Sequence, residues 1–160
     1  MALQYKRGAT NCLACAVLRH DEFVLPPQRI RDMSYTITRA FSAATFEEID
    51  ARTRKALAEK GFGVLTEIDV QAVMKKKIEA EMPGYRILGA CNPQMAYQAI
   101  QIEPRVGAML PCNVLIREIE GAIEVSAVDP VASMSAIDNP RLHAVAGEVR
   151  DMLAAALAGI

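Results

Sequence analysis

The sequence predicts an α+β protein in which a mainly antiparallel sheet is backed by helices. Three observations favour this class. Strand-like and helix-like runs alternate from residue 34 onward, two β-rich runs are joined by a link of hairpin length, and a long amphipathic stretch closes the chain. A chain of 160 residues can bury a hydrophobic core without support from disulfides or metal.

Two strand–helix pairs are predicted first. Residues 35–40 alternate as a strand does, and Thr45 stands three residues before Glu48, the spacing of a capping box. A second strand over 62–68 leads into a helix capped by Asp69. The apolar face of that second helix is predicted to consist of Val70, Val73, Met74 and Ile78.

A third strand over 85–90 is followed by Asn92-Pro93, an N-cap with proline at the first helical position. The helix that starts there is predicted to end near Pro104. Its buried stripe is predicted to consist of Met95, Ala96, Ala99 and Ile100.

The last third predicts a hairpin and a long helix. Strands over 113–119 and 122–128 are separated by Glu120-Gly121, where glycine supplies a positive φ. The second strand alternates apolar and polar residues, so the sheet is expected to cover a core on one side only. Asn139-Pro140 then starts the C-terminal helix, the expected partner of the sheet.

Residues 1–32 are predicted to be an N-terminal arm outside the single α+β domain, residues 33–160. The arm has no sustained helical or strand period, and it contains Pro26-Pro27 near its end. Two interpretations stay open. The arm is either flexible or weakly helical, or Met33 is the natural start and the arm is not part of the native product.

Composition excludes several classes of protein. The formal net charge of -1 gives no basic excess for nucleic acid or an acidic membrane surface. The longest uncharged stretch, 87–102, contains Asn92, Pro93 and glutamines, which a membrane span would not tolerate. Four cysteines are too few for a disulfide scaffold, so we expect a reducing, cytoplasmic location.

Cys91 and Cys112 are the most suggestive residues for chemistry. Cys91 lies where a strand passes into a helix, and a helix N-terminus lowers the pKa of a thiol. Cys112 opens the next strand, and each of the two cysteines is followed by asparagine. The sequence therefore suggests a reactive thiol pair, although both residues could instead be small buried hydrophobes.

The other candidates are weaker. Cys12 and Cys15 have the C-x-x-C spacing of zinc and redox sites, but only His20 lies nearby to complete a ligand set, so no metal site is predicted. His143 is expected to have a structural role on the last helix. Asp129, before a proline, is expected to end a strand in a turn or to face a cleft.

Four segments resemble the bacterial and archaeal domain-of-unknown-function family 302: residues 61–70, 85–93, 110–114 and 128–130. The resemblance covers about residues 34–158 and leaves the arm outside. It implies a curved antiparallel sheet similar to the TATA-binding-protein-like class, a homodimer, and loose links to sulfur and redox metabolism. It implies no established activity and, since folds do not transfer function, no DNA binding.

These observations predict a small binding or accessory protein whose cleft is organised by Cys91 and Cys112. Asn92 and Asn113 would position the loops, and Asp129 would be a third polar member of the site. A small thiol or sulfur compound is the expected ligand, and no cofactor is expected. Two alternatives stay open: a thiol-dependent redox or sulfur-transfer enzyme, and a structural homodimeric interaction domain.

Overall fold

Residues 35–160 are the part of the chain that the computed structural model describes, and they form five strands and five α-helices. The strands are β1 (Thr36–Ser42), β2 (Gly63–Asp69), β3 (Tyr85–Cys91), β4 (Cys112–Ile119) and β5 (Ala122–Val128). The helices are α1 (Phe46–Glu59), α2 (Val70–Ile78), α3 (Pro93–Ile102), α4 (Pro130–Ser133) and α5 (Pro140–Ala158), with a 3-10 helix at Pro104–Met109. The predicted arm, with Cys12, Cys15 and His20, lies outside the described residues.

The strands form one open sheet in the order β1-β5-β4-β3-β2, and every neighbouring pair is antiparallel. β1 and β2 are therefore its two edges. β4 and β5 form the predicted hairpin, and Gly121 in the link has a φ of 71°, which glycine adopts at no steric cost. This architecture confirms the predicted fold class.

Four helices begin at the polar residues that the sequence predicts. In the capping box, the Glu48 amide donates to Thr45 Oγ1 at 3.2 Å and the Thr45 amide donates to Glu48 Oε2 at 2.9 Å. Asp69, Asn92 and Asn139 cap α2, α3 and α5 with side-chain oxygens that accept backbone N–H groups. Each cap satisfies amides that the first helical turn leaves without a partner.

Helices α1 and α5 cover one face of the sheet. The main core consists of apolar side chains from these helices and from β3, β4 and β5: Ile49, Leu57, Leu88, Val114, Ile116, Val125, Leu153 and Leu157. A second, smaller cluster joins α3, the 3-10 helix, the end of α4 and the first half of α5: Ala99, Val106, Met134, Leu142, Val145 and Ala146. The long helix α5 thus contributes to both clusters. Within residues 35–160, no helix is both long and apolar enough to span a membrane.

Two predicted apolar faces are packed less than expected. α2 has no buried residue, and Val73 and Ile78 on its apolar face are exposed. Ile100, which the predicted stripe of α3 includes, is 39% exposed. Periodicity identifies the apolar face of a helix, but it does not show whether another element of the fold covers that face.

Two short helices lie where the sequence predicts only ends and turns. The 3-10 helix starts at Pro104, where α3 was expected to end, and α4 starts at Pro130, shortly after β5. Glu103 and Asp129 cap them. Proline with a preceding acidic cap starts a helical turn as readily as it ends an element.

Candidate functional site

The strand pairing brings the two described cysteines to the same end of the sheet. β3 ends at Cys91 and β4 begins at Cys112, and the residue paired with Cys112 is Ala90. Directly opposed residues in an antiparallel pair lie about 4.5–5.5 Å apart between Cα atoms. Cys91 is therefore one residue along the chain from the partner of Cys112, and both cysteines line the same cavity.

This cavity lies where the two apolar clusters meet. Its volume is about 30 Å³, which exceeds the roughly 10–15 Å³ that a cavity needs in order to hold one water molecule. Phe62, at the start of β2, and Leu110, before β4, form part of its wall, and Val149 of α5 closes it from the helix side. We call this space the thiol cavity. A space of this size can hold a small ligand such as a single atom or ion.

Two methionines share the lining with the two cysteines. Met95 lies in the first turn of α3, and Met134 follows α4 and is 5% exposed. Four sulfur-containing side chains thus line one small space. The sequence assigns Met95 only to a buried stripe and gives no signal for Met134, because methionine fills cores without any characteristic spacing.

Burial raises the pKa of both thiols. The half-buried Cys91 is shifted upward by desolvation. The more deeply buried Cys112 reaches a pKa of about 11, mainly through desolvation and secondarily through the charge of Cys91. Both side chains are therefore neutral thiols near pH 7. The direction is opposite to the lowering that a helix N-terminus alone predicts, because the cavity wall removes the solvent that would stabilise a thiolate.

Asn92 holds the corner between β3 and α3. Its Oδ1 accepts hydrogen bonds from the amides of Gln94 and Met95, at 3.1 and 3.2 Å. Its amide nitrogen packs against Gly61, where an added Cβ would lie 3.0 Å away, and Gly61 has a φ of 77°. Asn92 therefore fixes the backbone between Cys91 and Met95.

Pro111 and Gly89 support the other cysteine. A Cβ on Gly89 would overlap Thr66 Oγ1 and would lie 2.7 Å from a ring carbon of Pro111. The Leu110–Pro111 peptide bond is cis. The absence of a side chain at Gly89 thus lets Pro111 pack against β3 immediately before Cys112.

The structure does not place the two remaining predicted site residues in the lining of the thiol cavity. Asn113 is exposed, and it follows Cys112 along β4, so it faces the opposite side of the sheet. Asp129 caps α4, and its Oδ2 accepts a hydrogen bond from Arg150 Nε at 3.0 Å. Asp129 therefore holds the start of α4 in place, and the first residue of α4, Pro130, lines the cavity.

A second and larger concavity of about 470 Å³ lies elsewhere, between the starts of α1 and β3 and the end of β2. Three of its polar side chains already have partners. Asp69 caps α2, Glu118 accepts from the Gly84 amide at 2.7 Å, and Arg86 pairs with Asp50 at 3.2 Å. We therefore assign this concavity to the network of hydrogen bonds and ion pairs between α1 and the sheet.

The remaining histidine on the described chain offers no cluster for catalysis. His143 is half-buried on α5, and its Nε2 is buried without a hydrogen-bond partner among the described residues. Residues 35–160 contain no group of three or more histidine, cysteine, aspartate or glutamate side chains that could hold a metal ion. The thiol cavity is thus the site with the most distinctive chemistry in the described part of the chain.

Comparison with known proteins supports the same fold. A family described as "Domain of unknown function DUF302" matches residues 37–160. The crystal structure of an uncharacterized conserved DUF302 protein from Bacillus stearothermophilus is similar, with a TM-score of 0.74 and 25% sequence identity. The similarity covers 79% of this chain and 98% of that chain. No curated protein matches.

Proposed function

Since this chain belongs to the DUF302 family, we propose that it is a small binding or accessory protein that holds a soft, atom-sized ligand between Cys91 and Cys112. The observation that carries this proposal is the apolar cavity of about 30 Å³ that both thiols line. A sulfur atom or a soft metal ion has a suitable size.

Access to the site favours binding through Cys91. Cys91 is half-buried, whereas Cys112 is 6% exposed. A ligand that enters from solvent would therefore meet Cys91 first and Cys112 at the base of the cavity. The proposal requires a reducing compartment such as the cytoplasm, because oxidation of either thiol would remove it as a ligand.

The raised pKa values weigh against the alternative of a thiol-dependent enzyme. A nucleophilic cysteine acts as the thiolate, and catalytic cysteines lie in surroundings that lower the pKa. Desolvation raises it at both positions here. Among the described residues, the cavity lining contains no histidine, lysine or arginine that could stabilise a thiolate.

Alkylation kinetics test the binding proposal. The reagent is N-ethylmaleimide, and the protein is the full chain carrying Cys12→Ser and Cys15→Ser, so that only the two cavity thiols react. We expect Cys91 to be modified in the native protein, and Cys112 to be much slower until the protein unfolds. If Cys91 also reacts only on unfolding, the site is closed to solvent and the proposal is overturned.

A homodimer is a second proposal, favoured by the poor packing of α2. Leu65 and Ile68 on the edge strand β2 are 66% and 47% exposed, and Ile78 on α2 is 66% exposed. An exposed edge strand beside apolar side chains is a common site of association. We propose that a second copy of the chain covers these residues.

Charge favours a second copy as the occupant. α2 begins at the carboxylate of Asp69 and has Lys76 and Lys77 in its last turn. Two α2 helices packed antiparallel about a two-fold axis would bring the basic end of each beside the acidic start of the other. The same surface then serves both partners, as an isologous interface requires.

Sedimentation velocity tests the homodimer. We expect the full chain to be dimeric at micromolar concentration and Ile78→Glu to be monomeric. Tyr97→Glu is the matched control, because Tyr97 is similarly exposed, at 68%, but lies on α3. A wild-type monomer throughout the concentration range, or a dimer that persists in Ile78→Glu, would contradict the proposed interface.

A further inference from the structure

We propose that the thiol cavity is a Cu(I) site, in which Cys91, Cys112, Met95 and Met134 supply the sulfur ligands. The inference rests on the proposed binding function and adds the chemical identity of the ligand. Its basis is the composition of the cavity wall, where four sulfur-containing side chains from separate segments of the chain line the same small cavity.

Ligand chemistry selects the metal. Thiol and thioether sulfurs are soft donors, and the combination of cysteine with methionine favours Cu(I). Hard cations such as Mg²⁺ and Ca²⁺ require oxygen ligands. Structural zinc sites use cysteine and histidine and do not use thioethers. The cavity lining contains no carboxylate and no histidine, which leaves the soft monovalent ion as the best match.

Charge balance favours the same ion. The wall is apolar apart from the Asn92 amide, which already caps α3, so an uncompensated charge would be costly there. When Cu(I) replaces the proton of one thiol, a Cu–S bond forms, an S–H bond breaks and one proton leaves to solvent. The resulting pair of thiolate and Cu⁺ has no net charge. No electron is transferred, and the second thiol and the thioethers complete the coordination as neutral donors.

The four side chains are held by elements of the fold that do not have to rearrange. Cys91 ends β3 and Cys112 starts β4, which are paired strands. Met95 is tied to the same corner as Cys91, because its amide donates to the Asn92 cap. Met134 belongs to the buried cluster against α5. Such a site is largely formed before the ion arrives.

The ordinary explanation is that both methionines only fill the core. Methionine often does so, and Met152 provides an internal example, because it packs against the main core and does not line the cavity. The two explanations differ in what a leucine substitution does. Leucine keeps the apolar volume but removes the sulfur, so it tests the donor atom separately from the packing.

The experiment is an anaerobic Cu(I) titration of the full chain carrying Cys12→Ser and Cys15→Ser, in competition with the chromogenic chelator bicinchoninate. We expect one Cu(I) per chain and the release of about one proton. Cys91→Ser or Cys112→Ser should weaken binding by more than the roughly 10- to 100-fold that loss of an outer-shell partner costs. Met95→Leu and Met134→Leu should each weaken it measurably, and Met152→Leu should leave it unchanged.

Two results would overturn the inference. One is the absence of stoichiometric Cu(I) binding in the parent chain. The other is an affinity that Met95→Leu and Met134→Leu leave equal to that of Met152→Leu, which would show that the thioethers are not ligands. Alkylation of Cys91 in the native protein without copper distinguishes the two proposals. If it occurs and Cu(I) is not bound, the thiol site stands and the metal assignment falls.

Discussion

Removal of the Cys112 thiol should change how the stability of the protein depends on alkaline pH. Burial raises the pKa of Cys112 to about 11, whereas a thiol in an unfolded chain titrates near 8.5. Between these values the folded protein keeps a proton that the unfolded chain has released. The free energy of unfolding therefore falls as the pH rises through this window.

The size of the effect follows from the shift in pKa. One pKa unit corresponds to about 1.4 kcal/mol. A shift of somewhat more than two units thus contributes about 3 kcal/mol, which is fully present below about pH 8.5 and lost above about pH 11. Cys112→Ala has no proton to release, so its stability should lack this part of the alkaline decline.

Urea unfolding at pH 8, 9 and 10 measures the difference. Both proteins carry Cys12→Ser and Cys15→Ser, so that lysines, tyrosines and Cys91 titrate in each and largely cancel. We expect the stability advantage of the parent over Cys112→Ala to shrink steadily with pH. Parallel pH profiles for the two proteins would refute the reasoning, because they would mean that Cys112 is solvated in the folded state.

Three further substitutions test the local geometry through thermal or urea unfolding. Gly89→Ala should destabilise by about 1–3 kcal/mol, because the new Cβ would overlap Thr66 and Pro111; an unchanged midpoint would mean that Pro111 does not pack on β3. Gly147→Ala, on α5 with open space around the new Cβ, should instead stabilise the protein by about 0.5–1 kcal/mol. A loss of stability would contradict the open space around this position. Thr45→Ala removes the capping box of α1 and should cost about 0.5–2 kcal/mol, whereas a neutral result would show that the cap contributes nothing.

The parts of the fold that could be predicted from the sequence depend on local chemistry. Thr45, Asp69 and Asn139 were located as caps because a cap requires only a short polar side chain before a helical run. The signal for the hairpin at Gly121 was equally local, because a two-residue link between strands requires a residue with a positive φ. Such signals identify where elements start, and here the structure agrees with them.

The packing of elements against each other required the structure. The apolar residues of α2 have the spacing of a buried helix face, yet Val73 and Ile78 are exposed in the described part of the chain. Met134 is 43 residues from Cys91 in the sequence, and only the fold brings them to one cavity. The hydrophobic periodicity of a sequence does not show which residues far apart along the chain come into contact.

The structure brings some of the residues predicted for the site close together, and it places others elsewhere. The register of β3 and β4 brings Cys91 and Cys112 to the same end of the sheet, and both line the thiol cavity together with Asn92. Strand alternation separates Asn113 from Cys112, but the same rule would also separate Cys91 from Ala90, the residue opposite Cys112, so alternation could not predict which residues line the cavity. The direction of the thiol pKa shift could not be predicted, since a helix N-terminus and burial act in opposite senses and only burial depends on the whole fold.

The most direct test of the central claim is whether the two thiols act together. Arsenous acid, As(OH)₃, is a small inorganic reagent that condenses with two nearby thiols, forming two As–S bonds and releasing two water molecules. In the full chain carrying Cys12→Ser and Cys15→Ser, intact mass should show one arsenical bound to each chain. Either Cys91→Ser or Cys112→Ser should abolish the adduct. No adduct in the parent protein, or one that survives the loss of either thiol, would contradict a shared site.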